Sequence, residues 1–452
     1  MKQNTLASIS VFALSVIIGL QQAVGQQASQ RKKTAVKLTK NDQMNDGHAS
    51  KTIQEGRQIF RYDTFGSEAF WGDALQLHKA IAGEKNGGVG AGVSPKTALA
   101  VGLKVDMDAL PSSLASQIKA GKVNLDDPAT TVALLKLNAV VGVTAFADAQ
   151  GNVTGMGIQC ALCHSTVDDA FSPGIGHRLD GFANRDLNVG AIISLAPNLK
   201  PYTDLLGVDE ATVKKVMASW GPGRFDAILD KDGKAMRPDG KQAGTLIPPA
   251  YGLAGVAFNT WTGWGSVPYW NAYVGATEMH GIGTFYDTRI MEKGKFPVSA
   301  KVGTGNLRAK DPSKPDMLTS KLAALHLYQM ALPAPTPPAG SFDKAAATRG
   351  EGHFNGKAKC ASCHVPPLLT EPGYNLHAPS DIGVDAFQSD RSPTGKYRTA
   401  PLGGLWAHQK GGFYHDGRFA TLIDVVNHYD GHLKLGLAEP EKKDLIEYLK
   451  SL

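Results

Sequence analysis

Four cysteines occur in this 452-residue chain, and all of them fall into two copies of one pattern, C-x-x-C-H. The first copy is QCALCHS at residues 159–165 and the second is KCASCHV at 359–365. Three chemistries compete for such a pattern. Zinc could be held if each copy gave three ligands and another residue the fourth, but structural zinc sites usually draw on two separated pairs. A thioredoxin-type dithiol or a disulfide needs a βαβ setting, which is missing, and leaves the histidine unexplained. Covalent haem c uses every residue of the pattern. Cysteines at i and i+3 share one face of a helical turn, so both sulfurs reach the two vinyl groups of one porphyrin. The adjoining histidine then ligates the iron from its proximal side. The sequence therefore predicts two covalently bound haem c groups. One is on Cys160, Cys163 and His164, the other on Cys360, Cys363 and His364.

The sixth iron position decides whether each haem carries electrons or does chemistry, because a strong ligand closes the iron and a labile one leaves it reactive. No methionine follows Met330. A second haem within the C-terminal region therefore looks to His377, His408, His415, His428, Tyr429 or His432, of which His428 and Tyr429 lie in the helical-looking TLIDVVNHYDGH. For the first haem the candidates are His78, His177, His280, Met217 and Met279. The loop ATEMHGIG presents Met279 and His280 side by side among glycines. The aromatic run NTWTGWGSVPYWNAY (259–273) reads as apolar packing against the porphyrins. Arg398 and Arg418 are candidates for pairing with propionates, since guanidinium matches carboxylate geometry.

The N-terminus begins MKQNT and continues into the apolar run LASISVFALSVIIGL, with small residues at Ala23 and Gly25. That pattern predicts a secretory signal peptide over 1–25, and hence a periplasmic or secreted bacterial protein. No later apolar run is long enough to cross a bilayer, so no integral span is expected once the signal is removed. Of the formal net charge of +6, +4 sits in residues 26–51, read as a flexible basic leader, and only +1 in the body. Nucleic-acid binding finds no support in that distribution. The proline run PAPTPPAG (333–340) is a stiff connector, which divides an N-terminal haem c domain with insertions (52–335) from a C-terminal haem c domain (341–452). Helical spacing recurs in IQEGRQIFRYDTFGSEAFWGDALQLHKAIAG, PATTVALLKLNAVVGV and EPEKKDLIEYLKSL, while few segments alternate as strands do. The expected class is all-α, with two cytochrome c-like domains, long loops and a large insertion in the first.

With both motifs read, the C-terminal region resembles the bacterial di-haem cytochrome c peroxidase and MauG superfamily. The residues that carry the likeness are RGEGHFNGKAKCASCH, then YRTAPLGGLWAHQKGGFYHDGRFATLIDVVNHYD, then the closing helix. Gly403 stands where an arginine is common and Tyr414 where the family often has phenylalanine. The resemblance implies that a residue on the helix after Thr421 and Leu422 ligates the second iron. That residue is a methionine in the peroxidases and a tyrosine in the MauG-like branch. Here the position falls at Tyr429, with His428 beside it. The N-terminal region matches less well, and its size and insertions are similar to those of the extracellular di-haem rubber oxygenases. The resemblance implies a peroxidase- or MauG-like oxidoreductase, with one haem for hydrogen peroxide or oxygen chemistry and the other for electron transfer. It also implies a small redox protein or other electron donor as partner, and calcium as a further cofactor to which no residue here is assigned. The alternatives are a non-catalytic di-haem electron-transfer protein and a di-haem oxygenase of the rubber oxygenase type.

Overall fold

The computed structural model describes residues 38–309, 313 and 315–452. The expected signal peptide and residues 26–37 of the leader lie outside the described residues. The chain divides into two compact units, Met1–Lys51 and Thr52–Leu452. In the first, residues from Lys40 onward are helical, which differs from the flexible leader expected there. Asp42 explains the start: its carboxylate accepts hydrogen bonds from the Thr39 amide (2.8 Å) and hydroxyl (2.7 Å), a local cap that orders the first turn.

The second unit is mostly helical but not all-α. Among the described residues it contains four two-stranded sheets. The longest pairs Val143–Ala147 with Val153–Ile158 antiparallel, with an irregularity between Phe146 and Ala147; the others are two or three residues long. These strands escape a reading by periodicity because two or three residues cannot show an alternation. In KLNAVVGV, expected to prolong the helix Pro128–Lys136, the chain instead turns at Asn138 (φ +53°) and Gly142 (φ +83°) and enters the first long strand. The two Asp-Gly steps of DKDGKAMRPDGK also part ways. Gly233 ends the short helix Leu229–Asp232 in the left-handed region, whereas Gly240 turns a small hairpin closed by a Met236–Gln242 bridge.

Among the described residues, two large apolar cores are drawn from residues 59–328, with a small cluster of Ala250, Leu253 and Val267 beside them. One gathers Trp71, Leu75, Leu135, Met156, Leu187 and Trp220; the other gathers Phe60, Trp264, Tyr273, Phe296, Leu325 and Tyr328. A third is drawn from Phe354 to Leu452 and includes Phe413, Leu445 and Tyr448. Its frame is a pair of helices, Lys344–Asn355 and Glu439–Ser451. Asp343 caps the first by accepting from Ala345 N (2.8 Å) and Ala346 N (3.1 Å). The two helices touch at Gly350, where an added Cβ would collide with the Asp444 carbonyl oxygen. Gly350→Val is expected to cost about 1–3 kcal/mol by overpacking, read as a lowered urea midpoint. A third helix, Leu422–Leu433, starts from a reciprocal cap in which Thr421 N donates to Asp424 (2.9 Å) and Asp424 N to the Thr421 hydroxyl (3.4 Å). This helix carries His428 and Tyr429.

Candidate functional site

The first motif is delivered by the strand Val153–Ile158, which runs into Gln159 and then a single helical turn, Ala161–His164. The turn is tied at both ends: Gln159 N donates to Gly142 O (3.0 Å) and His164 N to Cys160 O (3.2 Å). Gly142 is required here, because a Cβ would overlap the Leu162 backbone. The Cys160 and Cys163 thiols are not in a disulfide, and burial pushes both pKa values up to about 12. His164 Nδ1 lies 3.1 Å from the Pro248 carbonyl oxygen. A carbonyl only accepts, so Nδ1 carries the proton and Nε2 keeps its lone pair. Burial lowers the His164 pKa to about 4, which keeps the ring neutral. A neutral imidazole with its second nitrogen fixed by a backbone acceptor is the usual form of a metal-ligating histidine.

The second motif repeats these local features on a different frame. Cys360–Ser362 is a 3₁₀ turn entered through Lys359 at φ +56°. Cys363 N and His364 N both donate to Cys360 O, at 3.2 and 2.9 Å. His364 Nδ1 lies 3.0 Å from Leu369 O, and burial again lowers its pKa. Neither carbonyl was legible in sequence, since a backbone acceptor carries no residue signature. Cys363, Glu371 and His377 also bring ligand atoms within 4.8 Å of one another. As a zinc site that group would be short of the usual four ligands and would leave Cys360 and His364 unused.

Cys160, Cys163 and His164 open onto a cavity of about 310 Å³. Its wall includes Met217, Met279 and His280 among the sequence candidates, together with Trp261, Trp264 and Trp270. His177 is elsewhere, on the surface with Nδ1 3.0 Å from Asp108. His78 is buried on the short helix Leu77–Ala82 and is not part of the described lining. The loop around Met279 is held from both sides: Trp71 Nε1 donates to Met279 O (2.9 Å), and Gly281 N to Gly275 O (2.8 Å). His280 takes φ +57° and stacks on Phe70, with ring centres 3.5 Å apart.

Several polar residues of this wall were missed from sequence. Glu278 lines the cavity directly before Met279, and its carboxylate accepts from the fully buried Lys231 ammonium (2.7 Å), which also bonds Asp230 (2.7 Å). Burial raises the Glu278 pKa, and one ammonium between two carboxylates does not cancel that. On the same wall Arg391 bridges Asp226 (2.9 Å) and Asp232 (2.7 Å). Only the neighbour relation of Glu278 to the flagged Met-His pair could have pointed to it.

The two arginines considered for propionates separate. Arg418 is committed to Asp416 (2.8 Å) and Asp385 (2.5 Å). Arg398 lines the cavity and donates to the Phe258 carbonyl (2.8 Å) and the Thr260 carbonyl. It has no carboxylate partner among the described residues, and burial pushes its pKa down to about 10. Close by in the wall, both amide atoms of Asn259 and the Thr260 hydroxyl are buried without partners among the described residues. A buried cation and orphaned donors beside an apolar cavity, with two thiols and a lone-pair nitrogen in its wall, fit a porphyrin with its carboxylates. The residues present fit haem c.

At the second motif, His428 Nε2 lies 2.8 Å from Ile382 O, and the ring stacks parallel to His432 at 6.0 Å. Tyr429 is half-buried; desolvation raises its pKa, and the nearby Cys363 and Cys360 thiols add to that. Its ring centre is 6.2 Å from that of Tyr414. His377 bonds Glu371 (2.6 Å), His415 is buried against Tyr397, and His432 Nε2 is 3.1 Å from Asp381 O.

No family model matches the chain. It is 30% identical over 122 residues to the methylamine utilization protein MauG of Methylorubrum extorquens, covering 24% of this chain and 34% of that protein. It is 31% identical over 160 residues to the cytochrome-c peroxidase IdrP1 of Denitromonas iodatirespirans, covering 24% of this chain and 42% of that protein. The matches thus span between a third and a half of these curated relatives. Among solved structures, a MauG-like protein associated with microbial copper homeostasis is 18% identical, over 49% of this chain and 77% of that one, with a TM-score of 0.32. The hydrazine synthase of Kuenenia stuttgartiensis is 24% identical over 30% of this chain and 55% of that one, with a TM-score of 0.22. Scores at that level do not speak for a shared overall fold. Over the quarter of its length that matches these curated relatives, the chain is similar to members of the di-haem cytochrome c peroxidase and MauG superfamily.

Proposed function

We propose that this chain is an exported di-haem c-type cytochrome acting as a peroxidase- or MauG-like oxidoreductase. The haem at His164 would serve peroxide or oxygen chemistry, and the haem at His364 would pass electrons. The observation that carries this reading is the cavity above Cys160, Cys163 and His164, with a carboxyl group, Glu278, in its wall. Bound haem c supplies an iron that can exchange single electrons and, where its sixth position is open, react with peroxide or oxygen. The chain's own residues do the rest. Cys160 and Cys163 would anchor the ring, Pro248 O holds the His164 tautomer, and Arg398, Asn259 and Thr260 would be available to its carboxylates. Glu278 places in the cavity wall a carboxyl group whose pKa burial raises, where cleavage of peroxide would need a proton.

For the second iron the reading takes Tyr429 as the sixth ligand over His428. His428 is turned to the Ile382 carbonyl, whereas the half-buried Tyr429 sits where the Cys360 and Cys363 thiols bear on it. Tyr429→Phe is expected to change the optical and EPR spectra of that haem, and His428→Ala to leave them essentially as they are. The reverse pattern would move the ligand to His428, and no change in either would remove this helix from the site. A small redox protein or another external donor supplies the electrons in this scheme.

A second reading is favoured by one feature of the cavity. Away from the thiols its wall is apolar, with Leu77, Ile81, Val93, Leu135 and Ile193. That suits a di-haem oxygenase acting on an apolar substrate. Such an enzyme consumes oxygen without added reductant when substrate is present; the peroxidase reading expects no such consumption.

A further inference from the structure

The helix Val267–Ala276 and the loop before it carry a set of mutually touching aromatic rings at the cavity wall. Trp264 and Trp270 line the cavity, with ring centres 5.3 Å apart. Neither indole N–H has a partner among the described residues. Directly behind them is Tyr269, whose ring centre is 5.5 Å from Trp270 and 6.4 Å from Trp264. The Tyr269 hydroxyl donates to Asp287 Oδ2 at 2.7 Å. Asp287 is itself buried, and Arg289 clasps it with Nε 3.0 Å from Oδ1 and Nη2 2.8 Å from Oδ2. The Arg289 side chain is 46% exposed, so this clasp reaches solvent.

Three properties coincide at Tyr269. It touches two indoles that line the cavity, it has a carboxylate within hydrogen-bond distance, and the far side of that carboxylate faces outward. A phenol that loses an electron becomes a strong acid, so its oxidation is far easier when a base already holds the hydrogen bond. Tyr328 also bonds a carboxylate, Asp180 at 2.5 Å, but its described ring partner is Phe60 rather than a ring of the cavity wall. Tyr273 meets the same two indoles, with ring centres 5.9 and 5.1 Å away, but it is fully buried and its hydroxyl donates to the Ala227 carbonyl oxygen (3.0 Å), so Tyr269 is set apart by a carboxylate that the half-exposed Arg289 clasps.

We infer that Tyr269 is a redox-active residue that delivers one electron through Trp270 and Trp264 to the cavity, its phenolic proton passing to Asp287. The oxidant is hydrogen peroxide, reduced to water by two electrons and two protons, so this inference rests on the peroxidase reading above. Tyr269 provides one of the two electrons, an external one-electron donor provides the other, and both protons come from solvent. The external donor later reduces the tyrosyl radical, and the proton returns from Asp287 to the phenol oxygen. The outward face at Arg289 is where that donor would approach.

The test is rapid-freeze EPR of the full-length ferric holoprotein mixed with hydrogen peroxide, using protein labelled with ring-deuterated tyrosine as a control. A tyrosyl signal is expected, narrowed by the label, reduced in Asp287→Asn and lost in Tyr269→Phe. The phenylalanine variant keeps the ring and the Asp287–Arg289 pair, so the fold is retained, and the haem optical spectrum verifies this in each sample. An unchanged tyrosyl signal in Tyr269→Phe overturns the inference, as does a peroxide-dependent haem change with no tyrosyl radical in the wild type; the peroxidase reading survives both results. Peroxide leaving the haem spectrum unaltered would sink that reading and this inference together.

Discussion

Arg391→Met is expected to lower the unfolding free energy by about 3–5 kcal/mol, the usual cost of removing one partner from a buried charge pair. The guanidinium bridges Asp226 and Asp232, and all three side chains are at most 1% exposed. Methionine fills much of the same volume but leaves two carboxylates without a cation. The charged form of Asp226 is disfavoured even in the wild type, where burial raises its pKa despite Arg391. An acid whose pKa is raised by folding binds its proton more readily in the folded state, so it weakens the fold at higher pH. The variant should therefore lose most stability at neutral pH and recover part of it as pH falls toward the ordinary carboxylate range. Urea midpoints at neutral and mildly acidic pH measure this, and a triple variant that adds Asp226→Asn and Asp232→Asn should regain much of the loss. A midpoint unchanged by Arg391→Met would mean that the pair contributes nothing.

His164→Ala is expected to remove peroxide turnover by more than about 100-fold, since even the outer partners of metal-ligating histidines are worth 10–100-fold. The haem should stay attached, because the thioethers at Cys160 and Cys163 do not depend on the histidine. Intact mass would still give two haems per chain, while the optical spectrum of one of them changes. Retained turnover with an altered spectrum at His164 would shift the reactive role to the other haem. The contrasting variant, Cys160→Ala with Cys163→Ala, is expected to leave one haem by mass.

The two motifs were legible in sequence because each is written in contiguous residues. Each C-x-x-C-H needs only one helical turn to align its sulfurs, and both turns form as the spacing requires. The capped helix carrying His428 and Tyr429 was legible for the same reason, through Thr421 and Asp424. What escaped is assembled across the chain. Arg391 is 165 residues from Asp226, His164 is 84 from Pro248, and Lys231 is 47 from Glu278; no local pattern marks such pairs. Strand content escaped because most strands are too short to alternate. Arg418 read as a propionate partner because its own aspartates, one of them 33 residues away, could not be seen.

The central claim is that the chain carries two haems with unlike irons, one closed and one open to peroxide at the His164 cavity. Low-temperature EPR of the oxidised protein, before and after hydrogen peroxide, tests it most directly. The expected result is one high-spin or exchangeable ferric signal and one low-spin signal, with peroxide abolishing the first. Two low-spin signals that peroxide leaves untouched would contradict it and make the protein a carrier of electrons alone.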